Sequence, residues 1–223
     1  MTISANQPYF VPYLPYWQLI DCADLFLVSD DFAFMKHSWI TRNFILVGGN
    51  PQYFRLEVKK ASCHKLIKDT EIMPPNLRNK LRTLEMAYHR SPCFNAGYEL
   101  IERVLRYPQT NLCDFLTASI REICAYLGIT TRLDFTSSVP GNAGLRREER
   151  IYHFCNYFGA DRYVNAIGGQ DMYHFSDFRA RGLELNFLRS EAGLPRLSVI
   201  DAIMNYSREQ LRDLLDKRSF IHE

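Results

Sequence analysis

The chain has 223 residues, 47% hydrophobic and 23% charged, which excludes extensive disorder and leaves enough sequence to bury a sizeable core. Its formal net charge is +2, and Lys59-Lys60 and Arg146-Arg147 are only short basic pairs, so duplex nucleic acid is not an expected partner. The opening MTISANQPYF has no signal-peptide pattern, and no apolar run approaches the roughly 20 residues of a membrane helix; the cytoplasm is the expected compartment, without membrane insertion.

Met1–Ala5 can begin a strand. Pro8, Pro12 and Pro15 exclude regular helix through most of Asn6–Pro15, after which Tyr16–Cys22 reads as a short helix and Leu25–Val28 as a fully buried strand. That order of strand, loop, helix and strand predicts two parallel neighbours in a βαβ start. Phe44–Val47 and Tyr53–Val58, separated by Gly48-Gly49-Asn50-Pro51, read as a hairpin. Pro74-Pro75 marks a boundary, followed by a helical block over Asn76–His89, Asn95–Arg106 and Asn111–Leu127, with Gly128 as a stop.

The α/β alternation then resumes. Thr130–Phe135 is a predicted strand, Arg147–Phe158 an amphipathic helix closed by Gly159, and Arg162–Asn165 a further strand. Gln170–Arg181 is a predicted helix, Leu183–Leu188 a strand, and Ser207–Asp216 a final helix with Ser207 as N-cap. The expected architecture is a single α/β domain with a parallel-rich sheet, a Rossmann-like (nucleotidyltransferase-like) βαβ start and a helical insertion near residues 76–127.

Ligands of open α/β sheets bind outside the carboxyl ends of the strands. Asn6–Tyr16, Asp30–Asn43 and Asn165–Tyr173 fall there. In the first, Tyr9, Tyr13 and Tyr16 suit stacking on and hydrogen bonding to a sugar or base, with Gln7 as a further polar contact, whereas Phe10 and Trp17 read as core. In the second, Asp30 or Asp31 could take a proton from an attacking amine; adjacent strand residues point to opposite faces, so the two are not expected to grip one atom. Lys36, Trp39, Arg42 and Asn43, with Lys59 and Lys60 from the next strand, form a donor-rich patch suited to phosphates. In the third, Asn165, Gly168, Gly169, Gln170 and Tyr173 lie at a strand-to-helix junction; the glycines there serve either anion binding or a sharp turn.

No nucleophile motif stands out. Cys63-His64 are neighbours whose side chains diverge, and the six cysteines contain no CxxC pair, so they read as reduced thiols. No spaced His/Asp/Glu set supplies a metal site, and no cofactor is identified.

Three ordered clusters carry a resemblance. Gln7-Pro-Tyr-Phe-Val-Pro-Tyr-Leu-Pro-Tyr-Trp-Gln-Leu-Ile20 resembles the opening signature of WbqC-like proteins. Ala23-Asp24 through Asp30-Asp31, with Lys36, Trp39, Arg42 and Asn43, resembles the stretch that follows it. Glu149-Arg-Ile151 and Tyr163 through Tyr173 resemble the family's second-half signature. The chain departs at Pro15, where the family usually carries Gly, which stiffens the loop.

The resemblance implies a role in surface-polysaccharide (O-antigen) or related biosynthesis, as a glycine transferase that N-acylates an amino sugar. The expected partners are a nucleotide-linked amino sugar and an amino-acid donor, free, activated or carrier-bound. A second likeness places Tyr13-x-x-Tyr16 where pantothenate synthetase and nucleotidyltransferase-like folds carry HxGH; both histidines are tyrosines here, so their mode of ATP binding does not carry over. Three readings follow: an amide-forming aminoacyl (glycyl) transferase, an ATP-dependent adenylating ligase, and a non-catalytic protein that presents a carrier-bound intermediate.

Overall fold

The computed structural model describes Met1–Glu223. Its elements in chain order are β1 (Thr2–Asn6), α1 (Leu14–Asp21), β2 (Leu25–Val28), β3 (Arg42–Val47), β4 (Asn50–Arg55), β5 (Val58–Lys59), β6 (Glu71–Ile72), α2 (Leu77–Tyr88), α3 (Phe94–Leu105) and α4 (Leu112–Leu127). There follow β7 (Arg132–Phe135), α5 (Arg147–Phe158), β8 (Arg162–Ala166), α6 (Phe175–Arg179), β9 (Glu184–Ser190), α7 (Val199–Asn205), α8 (Arg208–Asp216) and β10 (Arg218–Ile221).

Six strands form one sheet in the order β10-β9-β8-β1-β2-β7, parallel throughout except for β10. The fold is therefore the expected α/β class with a Rossmann-like strand order. The chain steps from β1 outward to β2 and β7, then returns to the other side of β1 for β8 and β9. The order thus reverses between β1 and β8, and in sheets of this kind the crevice beyond the carboxyl ends at that reversal is where ligands sit.

Side chains alternate across the sheet and feed two cores. Phe26, Val28, Val164 and Leu188 join the larger one, with residues of α1, α3, α4, α7 and α8. Leu25, Leu27, Tyr163, Leu185 and Phe187 face the smaller one, covered by α5 and α6. Burial on both faces explains why β2 is the unbroken apolar run Leu-Phe-Leu-Val.

Local chemistry sets the helix ends. Pro15 sits in the first turn of α1, where its fixed φ suits the helix and its missing N–H would be unpaired anyway. Asn111 caps α4 by accepting from Asp114 N at 3.1 Å, and Gly128 ends it in the left-handed region at φ 72°. Ser207 and Gln210 form a reciprocal capping box on α8.

Three elements differ from the sequence reading. Gln170–Arg181 is not one helix: Ile167–Met172 forms a 3-10 turn, Tyr173 is extended, and only Phe175–Arg179 is α-helical. The helices at Val199–Asn205 and the antiparallel edge strand β10 were not anticipated. Val199, Ile200, Ala202, Ile203 and Met204 of α7 are all buried, leaving Asp201 and Asn205 as a two-residue polar stripe on a helix of 7 residues, too short to reveal its period.

The carboxy terminus is tied back to α1. Gln18 Nε2 lies 2.9 and 3.0 Å from the carbonyls of Leu214 and Lys217, at the end of α8. Asp21 accepts from Arg212 at 2.6 and 2.8 Å and from Arg218 at 2.6 Å. No helix is long and apolar enough to cross a membrane.

Candidate functional site

A cavity of about 770 Å³ opens at the strand-order reversal. Its floor is the carboxyl ends of β1 and β8, through Ala5, Asn6, Gln7 and Asn165. Arg147, Glu148 and Arg150 of α5 make one wall, and Asp171, Tyr173, His174 and Asp177 another; Tyr9 and Ser29 complete the floor, and Phe32, Met35 and Met172 are exposed there.

The two strand-end asparagines have the same local geometry. Asn6 Oδ1 accepts from Gln7 N at 2.8 Å, and Asn165 Oδ1 accepts from Ala166 N at 2.8 Å. Each amide oxygen is turned back on its own chain, and each Nδ2 makes no hydrogen bond within the protein. Gly169 is required by this arrangement: a Cβ there would meet Asn165 Nδ2 at 2.5 Å. Gly168 has open space around it, and neither glycine adopts a positive φ.

The tyrosines of the site are hydroxyl donors rather than bases. Burial pushes Tyr163 well above the ordinary tyrosine value, with the neighbouring Tyr173 adding to it, and burial also raises Tyr9 and Tyr173. Tyr152 Oη is buried without a hydrogen-bond partner, and the Arg181 guanidinium lies 4.0 Å over its ring.

Of the residues singled out in the sequence, Gln7, Asn165 and Tyr173 line this cavity. Tyr16 supports it from below: its hydroxyl donates to Gln7 O at 2.9 Å while its ring is buried. Asn43 is also buried and donates to Val11 O at 3.0 Å. Val11 holds φ 41°, a costly conformation for a β-branched residue, and its carbonyl also accepts from Ser198 Oγ at 2.8 Å. Phe10 and Trp17 are fully buried.

The cationic patch is not assembled at the cavity. Arg42 stacks 4.2 Å over Tyr53, Lys59 pairs with Glu71 at 3.3 Å, and Lys36 and Lys60 are exposed. Trp39 is exposed and meets Phe44 edge-on, and Tyr13 is the partly exposed residue preceding α1. Gln170 borders an adjoining depression with Ser176 and Glu223, which shares Asp171, Tyr173 and His174 with the cavity.

Asp30 and Asp31 meet on one atom, contrary to the strand-alternation argument. Thr136 Oγ1 lies 2.6 Å from Asp31 Oδ1 and 3.3 Å from Asp30 Oδ1. The reason is that both residues follow the end of β2, where Asp30 N turns back to Val28 O at 3.0 Å, so strand alternation no longer applies. Asp30 is buried and accepts from Ser137 N at 3.0 Å and Ser137 Oγ at 2.6 Å. It thereby pins the turn after β7 to the end of β2. Asp30→Ala is expected to lower the unfolding free energy by about 2 kcal/mol, by stripping the partners from these donors; a lower urea midpoint with an unchanged m-value is the check.

Asp31 accepts from Asn142 Nδ2 at 2.7 Å and pairs with Arg150. Burial opposes its ionisation, but the Arg150 hydrogen bond and charge, with Thr136 and Asn142, outweigh burial and hold the carboxyl below the ordinary aspartate value.

Asn6, Arg147, Arg150, Tyr152, His174 and Asp177 line the cavity without having been singled out in the sequence, and Tyr9, one of the loop's aromatics, lines it with them. All six cysteines are free, with burial pushing Cys22, Cys113, Cys124 and Cys155 up to about 12. Cys63 is exposed and lies outside the cavity lining. No cluster of three or more His, Cys, Asp or Glu side chains is placed to share a metal ion.

A protein from Mycobacterium tuberculosis, described as Uncharacterized protein Rv1507c, is 28% identical over 220 residues, covering 93% of this chain and 94% of its own length. No solved structure matches the chain. The model of the WbqC-like protein family matches residues 7–213, from the first cavity loop into α8. The chain belongs to the WbqC-like protein family.

Proposed function

We propose that the cavity holds a nucleotide-linked amino sugar and that the protein forms an amide on its amine by transferring an aminoacyl group, glycyl in the leading case. The observation that carries this reading is the lining at the strand-order reversal. Asn6 and Asn165 offer unspent amide donors, Tyr9 and Tyr173 offer rings, and Arg147 and Arg150 offer cationic donors in a space of about 770 Å³. That volume falls within the range of small-molecule sites, roughly 300–1,000 Å³. Membership in the WbqC-like family supports the amino-sugar context.

In the proposed reaction the substrate amine attacks the carbonyl carbon of the donor. A C–N bond forms, the bond from that carbon to the donor's oxygen or sulfur leaving group breaks, and the amine gives up a proton. Of the titratable groups in the lining, His174, Glu148, Asp171 and Asp177 are the candidates to receive that proton. Asp30 and Asp31, engaged with Thr136, Ser137, Asn142 and Arg150, act on the frame of the site.

The test is to supply the purified protein with nucleotide-linked amino sugars and glycine in free, ATP-activated or carrier-bound form, and to search for a new amide by mass spectrometry. A product with one donor is the expected result. Sugar-nucleotide binding without product from any donor would refute the transferase reading.

The strand order, in which two halves of the mononucleotide-binding kind meet at the reversal, also favours an ATP-dependent adenylating ligase as a second reading. It requires ATP binding and amino-acid-dependent pyrophosphate release, and calorimetry showing no ATP binding would exclude it.

A further inference from the structure

We propose that Arg150 is the phosphate-binding residue of the cavity and that Asp31 is its positioning residue rather than a proton-transfer group. This rests on the reading that the cavity takes a nucleotide-linked substrate.

Arg150 is held on three sides. Its Nη2 donates to Asp31 Oδ1, and its guanidinium carbon lies 4.8 Å from the ring centre of Phe32 and 5.4 Å from that of Phe154. Only 12% of its side chain is exposed. Clamped in this way, the guanidinium has little rotamer freedom left to lose on binding, and it is turned in a fixed direction on the wall of the cavity.

The clamp itself is anchored. Asp31 Oδ1 receives Thr136 Oγ1 at 2.6 Å, and Oδ2 receives Asn142 Nδ2 at 2.7 Å. Asn142 Nδ2 also reaches Thr136 O at 2.9 Å, so the segment after β7 locks the carboxylate from behind. A carboxylate already accepting from a hydroxyl, an amide and a guanidinium is poorly placed to take up a substrate proton. It is well placed to aim a cation.

Arg150 keeps donors in reserve. A guanidinium carries five N–H groups, yet only Nη2 is engaged within the protein. Nη1 has no hydrogen-bond partner and is open to a ligand, whereas Nε, also unpartnered, is fully buried and out of a ligand's reach. None of the acidic groups in the cavity, Glu148, Asp171 and Asp177, forms an ion pair with it. Unspent, charged, forked donors on a cavity wall match the oxygens of a phosphate or diphosphate. Arg147, on the same helix and lining the same cavity, adds a second positive charge. This matters because Asp31 already neutralises the charge of Arg150.

The experiment is calorimetric titration of the full-length protein with inorganic pyrophosphate, with UDP and with uridine, for wild type, Arg150→Met, Arg150→Lys and Asp31→Asn. The charge-retaining Arg150→Lys covers the case in which Arg150→Met does not fold. The expected result is that wild type binds pyrophosphate and that both Arg150 variants weaken that binding at least tenfold. Asp31→Asn should weaken it at least threefold, and any affinity for uridine should not change. No pyrophosphate binding by wild type, or equal binding by a folded Arg150 variant, would overturn the proposal.

Turnover separates the two roles of Asp31. Positioning predicts a raised KM for the sugar nucleotide with kcat largely kept, whereas a general base predicts loss of kcat at unchanged KM. Pyrophosphate binding that depends on Arg150, with no amide from any donor, defeats the transferase reading and leaves the phosphate site standing. Amide formation with an Asp31→Asn defect confined to kcat does the reverse.

Discussion

Trp17→Ala is expected to lower the unfolding free energy by about 3–5 kcal/mol, the usual range for removing a large buried aromatic side chain. Trp17 is fully buried and packs edge-on against Tyr16 at a ring separation of 6.0 Å. Its Nε1 also donates to Pro12 O at 2.9 Å, so truncation leaves a void and takes one of two donors from that carbonyl, which keeps Val199 N at 3.0 Å. That carbonyl belongs to the loop that carries Gln7 and Tyr9 into the cavity. Chemical denaturation should therefore show a lower midpoint, and ligand affinity should fall in the fraction that stays folded. Trp17→Phe, which keeps most of the volume and loses the hydrogen bond, should cost clearly less.

Asp21→Ala is expected to cost about 2–3 kcal/mol at neutral pH. Removing one partner of a buried ion pair strands the other charge, typically at 3–5 kcal/mol; the value here is lower because Arg212 is 39% exposed and can rehydrate. Arg218, at 16%, is the stranded group, and it belongs to β10. The effect should depend on pH with a definite sign. Burial raises the Asp21 carboxyl, but the hydrogen bonds and charges of Arg212 and Arg218 outweigh burial and hold it below its ordinary value. A carboxyl whose folded value is depressed contributes its stabilisation in full above the unfolded value, about 3.9. That contribution fades as pH falls through the lower folded value. The difference in stability between wild type and Asp21→Asn should accordingly be largest near pH 7 and shrink below about pH 4, as read from urea midpoints at a series of pH values.

Much of the fold was legible because its signals are local. Asn111 and Gly128 bracket α4, Gly159 closes α5 at φ 67°, and Ser207 opens α8; each is a cap whose chemistry can be read from a few residues. The β1-α1-β2 start was legible for the same reason. β10 was not, because Arg-Ser-Phe-Ile is too short to show a period and owes its place to Asp21 and to pairing with β9. α7 was hidden by its length of 7 residues, of which only Asp201 and Asn205 are polar.

The site was legible in part, and the boundary is physical. Placing ligands at strand ends leads to Gln7, Asn165 and Tyr173, all in the cavity. It does not show which strand ends are neighbours at the reversal, because that depends on β8 returning to the far side of β1. The second segment, Asp30–Asn43, therefore divides. Phe32 and Met35 reach the cavity, whereas Arg42 and Asn43 pass into the β3–β4 hairpin, whose Ile45 and Phe54 belong to the larger core. Arg150 gave no signal of its own. On an amphipathic helix an arginine reads as solvated surface, and only the approach of Asp31 from over a hundred residues away gives it a fixed direction.

The most direct test of the cavity as the substrate site is hydrogen–deuterium exchange with and without a UDP-linked amino sugar. Slower exchange in residues 5–9, 147–154 and 163–174, with residues 36–60 unchanged, is the predicted result. Protection confined to residues 36–60, around Lys36, Arg42 and Lys59, would contradict it and return the site to the cationic loop.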